Sequence, residues 1–220
     1  MRLVILAVLL VAGVGEAAPK KHHAPAHRAD NMPRGFAWPP SPQMREMAAA
    51  CEAELRAGGV AFSAAKAEGH MVDAITLGGP LLGGVTYAQA WGSKAAQPMD
   101  CQLAAALVEA GPALAALGVR EVRFGSIYRW SNIRVGGVTK PILSRHALGL
   151  AMDVVSFVLA DGTEAVVGRD YRASAVLHAI ERAIDGDARF RTVLTPANDP
   201  ISHEDHFHLE ANPDYSRPPS

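Results

Sequence analysis

The sequence predicts an α+β domain on three observations. Apolar residues recur at helical spacing in two early stretches, and short segments with β-branched residues dominate from Val119 onward. One further helical period lies among those segments. Helices first and strands later, with no internal repeat, favour a small, mainly antiparallel sheet with packed helices.

Ser41-Pro42 reads as an N-cap followed by proline at the first helical position. Met44, Met47, Ala48, Cys51 and Leu55 then form an apolar stripe, ended by Gly58-Gly59. Val60 to Tyr87 is Gly-rich with short β-branched pieces, which suits small strands and loops. Asp100 caps a second helix through Leu103, Leu107 and Val108, and Gly111-Pro112 is expected to kink or restart it before Gly118. Farther on, Val122, Phe124 and Ile127 alternate with polar neighbours, and Ala151 to Val158 reads as a strand. Ala160-Asp161-Gly162 reads as a turn into Thr163 to Val167. Ala173 to Ile184 is a helix with Leu177, Ile180 and Ile184 on one face, ended near Gly186. Thr192-Val193-Leu194 and His206 to Glu210 supply two more short strands.

The chain has 220 residues, of which 49% are hydrophobic and 20% charged, so it can bury one core and is not disordered throughout. Its 21 Lys+Arg against 22 Asp+Glu lack the basic excess of a nucleic-acid binder. Met1-Arg2, an apolar run from Leu3 to Val14, and Gly15-Glu16-Ala17 have the anatomy of a secretory signal cleaved after Ala17. The run is too short to span a bilayer comfortably. The expected protein is therefore exported to the periplasm or cell envelope, with no stable membrane span after cleavage. Residues 18–42 are rich in Pro, Ala, Lys and His and read as a flexible linker; His22, His23 and His27 there suit a solvated basic tail or loose metal binding. The folded domain is expected over residues 43–212, with 213–220 as a tail.

Two cysteines, Cys51 and Cys101, in an oxidising compartment point to one disulfide, worth about 4 kcal/mol in the chain-entropy model. Half of a metal site is the other reading, but no CxxC or Cys–His pairing accompanies either residue.

The chemistry is concentrated in two motifs. The first runs from Ser144 through His146 to Asp153, and the second is His203-Glu204-Asp205-His206-Phe207-His208-Leu209-Glu210. Residues two apart on a strand share a face, so His206 and His208 point one way while Phe207 and Leu209 enter the core. His146 and Asp153, seven apart with Gly149 between, can add ligands from a loop and the strand after it. Asp153 sits between Met152 and Val154, where a buried carboxylate needs a cation or metal to offset its desolvation. Two nitrogens and one oxygen with an open position describe a catalytic zinc site.

The spacings HxxxxxxD and HxDHxH resemble the zinc signature of LAS-type metallopeptidases, which include lysostaphin, D-Ala-D-Ala peptidases and murein endopeptidases. More closely, the chain resembles the bacterial extensin-like C-terminal domain family. The order that carries this is Cys51, Gly125-Ser126, Ser-x-His-Ala at 144–147, Ala-x-Asp-Val at 151–154, Leu-Ala-Asp-Gly at 159–162, Val-Leu-x-Pro at 193–196 and His-x-Asp-His-Phe-His at 203–208. The match spans about residues 44–212. The sequence departs in having only two cysteines and in reading Tyr128-Arg129-Trp130 where relatives often show Cys-Arg.

The resemblance implies a LAS/hedgehog-like fold and a zinc ion held by His146, Asp153 and His208, with His206 beside the activated water. His206 and His203 are the candidate proton carriers, and Asp205 is the runner-up, either as base or as a carboxylate orienting a ligand histidine. Arg129 matches in placement an arginine beside the substrate, where it would bind a carboxylate or developing oxyanion; a plain surface arginine is the other reading. Ser144 is expected to orient the His146 loop through its hydroxyl. His70 and His178 read as structural. The implied function is hydrolysis of peptide cross-links in bacterial peptidoglycan. D-alanine trimming and a zinc-containing wall-binding module without turnover are the alternatives.

Overall fold

A computed structural model of the chain describes residues 31–66, 68–92, 96–191 and 193–218. The proposed signal segment and His22, His23 and His27 lie outside them. The expectation of a mixed α+β architecture holds: among the described residues four α-helices accompany several small sheets.

Helix α1 (Pro42–Ala57) starts as its sequence dictates. The Ser41 side chain accepts from the Met44 amide and Pro42 occupies the first turn, while Met44, Cys51 and Leu55 are buried. Strands β1 (Phe62–Ala64), β2 (Ala74–Leu77) and β5 (Met99–Asp100) form a small antiparallel sheet in the order β1-β2-β5. The larger sheet contains β3 (Leu81–Leu82), β4 (Val85–Gln89), β6 (Val119–Ser126), β9 (Ala151–Leu159), β10 (Glu164–Val166) and β11 (Phe207–Glu210). Its central strand is β9, which pairs with β6 on one edge and shares the other between β10 and β11. All pairings in it are antiparallel except β4 with β6. A separate hairpin, β7 (Asn132–Val135) and β8 (Val138–Leu143), stands beside this sheet.

Helix α2 (Cys101–Ala116) runs through Gly111-Pro112 as one element, so the restart expected there does not occur. The helix is apolar on most sides and packs on α1, β3 and β6, among others, so burial overrides the proline's cost. Gly111 has its own reason: a Cβ there would collide with the Gly83 carbonyl oxygen, because the β3–β4 turn presses onto the helix backbone. Helices α3 (Val167–Asp170) and α4 (Ala175–Asp185) complete the set, and α4 buries Leu177, Ile180 and Ile184 as its period requires. The segment around Val193 and Leu194 gives only an isolated bridge, Leu194 with His208, instead of the expected strand; Thr192 lies outside the described residues.

Residues 31–40, expected to belong to the linker, pack on the domain. Asn31 is buried, donates to the Leu143 carbonyl and accepts from Arg145 Nε, while Phe36 meets the Tyr215 ring. Tyr215, expected in the tail, is likewise buried. The disulfide joins Cys51 to Cys101, tying α1 to the start of α2 as expected from the two cysteines.

The contact at Gly111 yields a prediction. In an exposed helix, Gly→Ala stabilises by about 1 kcal/mol. Here Gly111→Ala should destabilise by about 1–3 kcal/mol, because backbone must move to admit the methyl group. Urea unfolding of the two forms reads the sign directly.

Candidate metal centre

Sheet register builds the site. Asp153 on β9 lies directly opposite His208 on β11 and opposite Ser126 on β6, so the three residues form a row across neighbouring strands. His146 comes from a 3-10 turn (Arg145–Leu148) just before β9, whose amide at His146 is held by the Ser144 hydroxyl. Gly149 closes this turn in the left-handed region at φ 64°, and a Cβ there would lie 2.7 Å from Met71 Sδ. The sharp turn swings His146 back over Asp153.

His146, Asp153 and His208 are buried and offer ligand atoms all within 4.8 Å of one another. Asp153 Oδ1 is 3.0 Å from His146 Nε2 and 2.8 Å from His208 Nδ1. The far side of each imidazole is fixed. His146 Nδ1 donates to the Ile127 carbonyl at 2.6 Å, and His208 Nε2 faces Glu210 Oε1 at 3.0 Å. A carbonyl oxygen can only accept, so the proton of neutral His146 sits on Nδ1 and its Nε2 lone pair faces a carboxylate oxygen. Two acceptors face to face in a buried position require positive charge between them, so this donor set fits a metal cation. Outer carbonyl and carboxylate partners on both histidines are what metal sites use to orient ligands.

The electrostatics agree. Burial pushes His146 down, which keeps it neutral. Burial alone would raise Asp153, but its contacts with His146 and His208 hold its carboxyl well below the usual range. Burial likewise opposes charge on His208, yet its bonds to Asp153 and Glu210 raise it to about 9, and Glu210 falls to about 2 despite its own burial. Without metal, His208 is thus an imidazolium donating from both nitrogens, and its Nδ1 proton stands where a metal would bind.

Arg129 Nη1 donates to Asp153 Oδ2 at 2.7 Å and to Ser126 Oγ, which itself donates to the same oxygen. The arginine expected at the substrate therefore also holds the carboxylate in place. His206 precedes β11 by one residue; its Nε2 lies 3.6 Å from Asp153 Oδ1 and its Nδ1 is 2.7 Å from Asp205. Asp205 is 75% exposed, and its side-chain contact is with His206. His203 Nδ1 bonds Asp199, and its ring packs beside those of His206 and His208. A cleft of about 300 Å³ opens at these groups, lined by Arg129, Asn132, Arg134, Ile201, His203 and His206 among others. A larger groove of about 650 Å³ between α1 and the C-terminal segment is lined by ion pairs of Arg189 with Glu54 and Glu109, so its charged groups are spent on one another.

Sequence reasoning missed Glu210, Asp199 and the Ile127 carbonyl. Glu210 was legible as the next same-face residue after His206 and His208; the carbonyl has no side-chain signal. His178 packs against the Tyr171 ring, as a structural residue would.

The fold and site together define an α+β domain with a buried His-Asp-His group able to hold a metal ion. Residues 49–217 match the family described as "Extensin-like protein C-terminus", and the chain belongs to that family. Comparison with curated proteins and with solved structures finds no match.

A pH prediction follows for the metal-free protein. His208 is raised in the fold, so its contribution is complete below the unfolded value of about 6.5 and is lost as pH rises toward about 9. Thermal unfolding in chelator should show stability falling from pH 7 to pH 9. The metal-loaded protein, with that proton already displaced, should not show the fall.

Proposed function

We propose that this protein is an exported zinc metallopeptidase that cleaves peptide cross-links of bacterial peptidoglycan. The observation that carries this reading is the convergence of His146 Nε2, Asp153 Oδ1 and His208 Nδ1, with His206 and His203 beside them in an open cleft. Kinship with LAS-type zinc peptidases, and a fold like theirs, belongs to the same proposal. Its support is the HxxxxxxD and HxDHxH spacing and the strand register that turns the spacing into a site. Export is supported by the secretory anatomy of residues 1–17 and by the disulfide, which suits an oxidising compartment. Among the described residues no helix is long and apolar enough to cross a membrane.

Zinc bound at this group supplies a Lewis acid and activates a water nucleophile near neutral pH. The chain's own residues do the rest. Asp205 holds His206 Nδ1, leaving Nε2 to face the centre, take the proton of the attacking water and return it to the leaving amine. His203, oriented through Asp199, is the second proton carrier. Arg129 keeps Asp153 in its ligating rotamer and presents positive charge to the carbonyl oxygen as it gains negative charge.

His206→Ala should retain stoichiometric zinc and lose hydrolysis by about 10²–10⁴-fold. The assay incubates zinc-loaded protein with purified cross-linked peptidoglycan and reads released muropeptides by mass spectrometry. Conversion of dimeric to monomeric muropeptides is the expected result. Release of single D-alanines would reassign the protein as a carboxypeptidase, and no change with zinc bound would favour the binding module.

A further inference from the structure

All three tryptophans of the chain stand on its surface, and two of them meet the ring of His70. Trp38 is 42% exposed and stacks on His70 with ring centroids 4.4 Å apart and planes within 20°. Trp130 is 57% exposed and meets His70 edge-on, with centroids 5.0 Å apart and planes at 81°. Residues from the segment before α1, the β1–β2 loop and the segment after β6 thus build one aromatic ledge. Leaving large indole surfaces in water forgoes burial free energy of the order of 1 kcal/mol or more each, and clustered exposure of this kind marks an interaction surface.

The ledge is joined to the metal centre. Trp130 lies between Arg129 and Ser131, both of which line the cleft, and the Ser131 carbonyl accepts from the Ser144 amide at 2.9 Å. The His70 amide donates to the Ala147 carbonyl at 3.1 Å, next to His146. The rings are therefore held by the same turn that presents a metal ligand, and whatever lies on them is set at the cleft's mouth.

The chemistry of the ledge selects its occupant. Its rings are flat and polar-edged, with Tyr128 and Arg129 adjacent in sequence to Trp130. The exposed aliphatic residues among those described, Leu81, Val135, Val138 and Ile201, come from other segments. An aliphatic protein surface would find little to pack on. A pyranose ring with equatorial substituents fits, since its C–H face stacks on indole while its hydroxyl and acetamido rim reaches polar neighbours. We infer that the Trp38–His70–Trp130 ledge binds a β-linked N-acetylhexosamine chain, holding the glycan strand while its attached peptide enters the cleft. This rests on the peptidoglycan reading above and extends it from the peptide to the sugar backbone.

The test uses a peptide-free probe, the β-1,4-linked tetramer of N-acetylglucosamine, titrated into the zinc-loaded mature protein by calorimetry and tryptophan fluorescence. Wild type should bind. Trp38→Ala and Trp130→Ala should each weaken binding by about fivefold or more while retaining zinc, and Trp130→Phe should recover most of the loss. Absence of tetramer binding, or binding unchanged in both alanine variants, overturns the ledge. Muropeptide release on the same preparations separates the two ideas: hydrolysis without tetramer binding removes the ledge and keeps the peptidase, and ledge-dependent binding without hydrolysis does the reverse.

Discussion

A single carboxylate oxygen, Asp153 Oδ1, is the point on which the arrangement turns. It is buried, flanked at hydrogen-bond distance by two imidazoles, and its partner oxygen is held by Arg129 and Ser126. Burying a charge in this way is costly unless it is compensated on every side, and each neighbour contributes to that compensation. Glu210 orients His208 and is itself paired with Arg191 at 3.0 Å. Nearby, fully buried Arg145 ties the turn to Asn31 and Ala211 through backbone carbonyls. The polar centre is therefore not an isolated triad but the middle of a network that spans both ends of the folded domain.

The distant parts of the fold are organised to keep that centre still. Asp100 caps α2 through the Gln102 amide and also accepts from Val72 and Asp73, while its own amide donates to the Gly149 carbonyl. Gly149 is the residue that folds His146 over Asp153. The disulfide at Cys101 locks the next residue along to α1, so the covalent staple acts one hydrogen bond away from the turn that carries His146. Preorganisation of this kind is what a metal site needs to hold ligands at fixed positions.

Much of this was legible in the sequence, and the exceptions have physical reasons. Caps and periods located α1, α2 and α4 because Ser41, Asp100 and the Leu177, Ile180, Ile184 face are local signals. The two motifs singled out His146, Asp153, His206 and His208 because a two-residue strand period and a seven-residue turn-and-strand spacing are visible without tertiary knowledge, and the family resemblance chose His146, Asp153 and His208 among them. Pro112 misled because burial of α2 outweighs a local propensity. The β7–β8 hairpin was missed although its Gly136-Gly137 turn is a local signal; residues 31–40 and Tyr215 were not legible as parts of the domain, since what fixes them is long-range, in contacts reaching across the chain to Leu143, Arg145 and Arg34. The Ile127 carbonyl that sets the His146 tautomer carries no residue-type signal at all.

The most direct test of the account is anomalous diffraction at the zinc edge from crystals of the mature protein loaded with one equivalent of zinc. The account predicts one peak bound by His146 Nε2, Asp153 Oδ1 and His208 Nδ1 at about 2.0–2.2 Å, with His208 still facing Glu210. A zinc ion held elsewhere, by the His22, His23 and His27 segment for instance, or a group of three that takes up no stoichiometric metal, would contradict it.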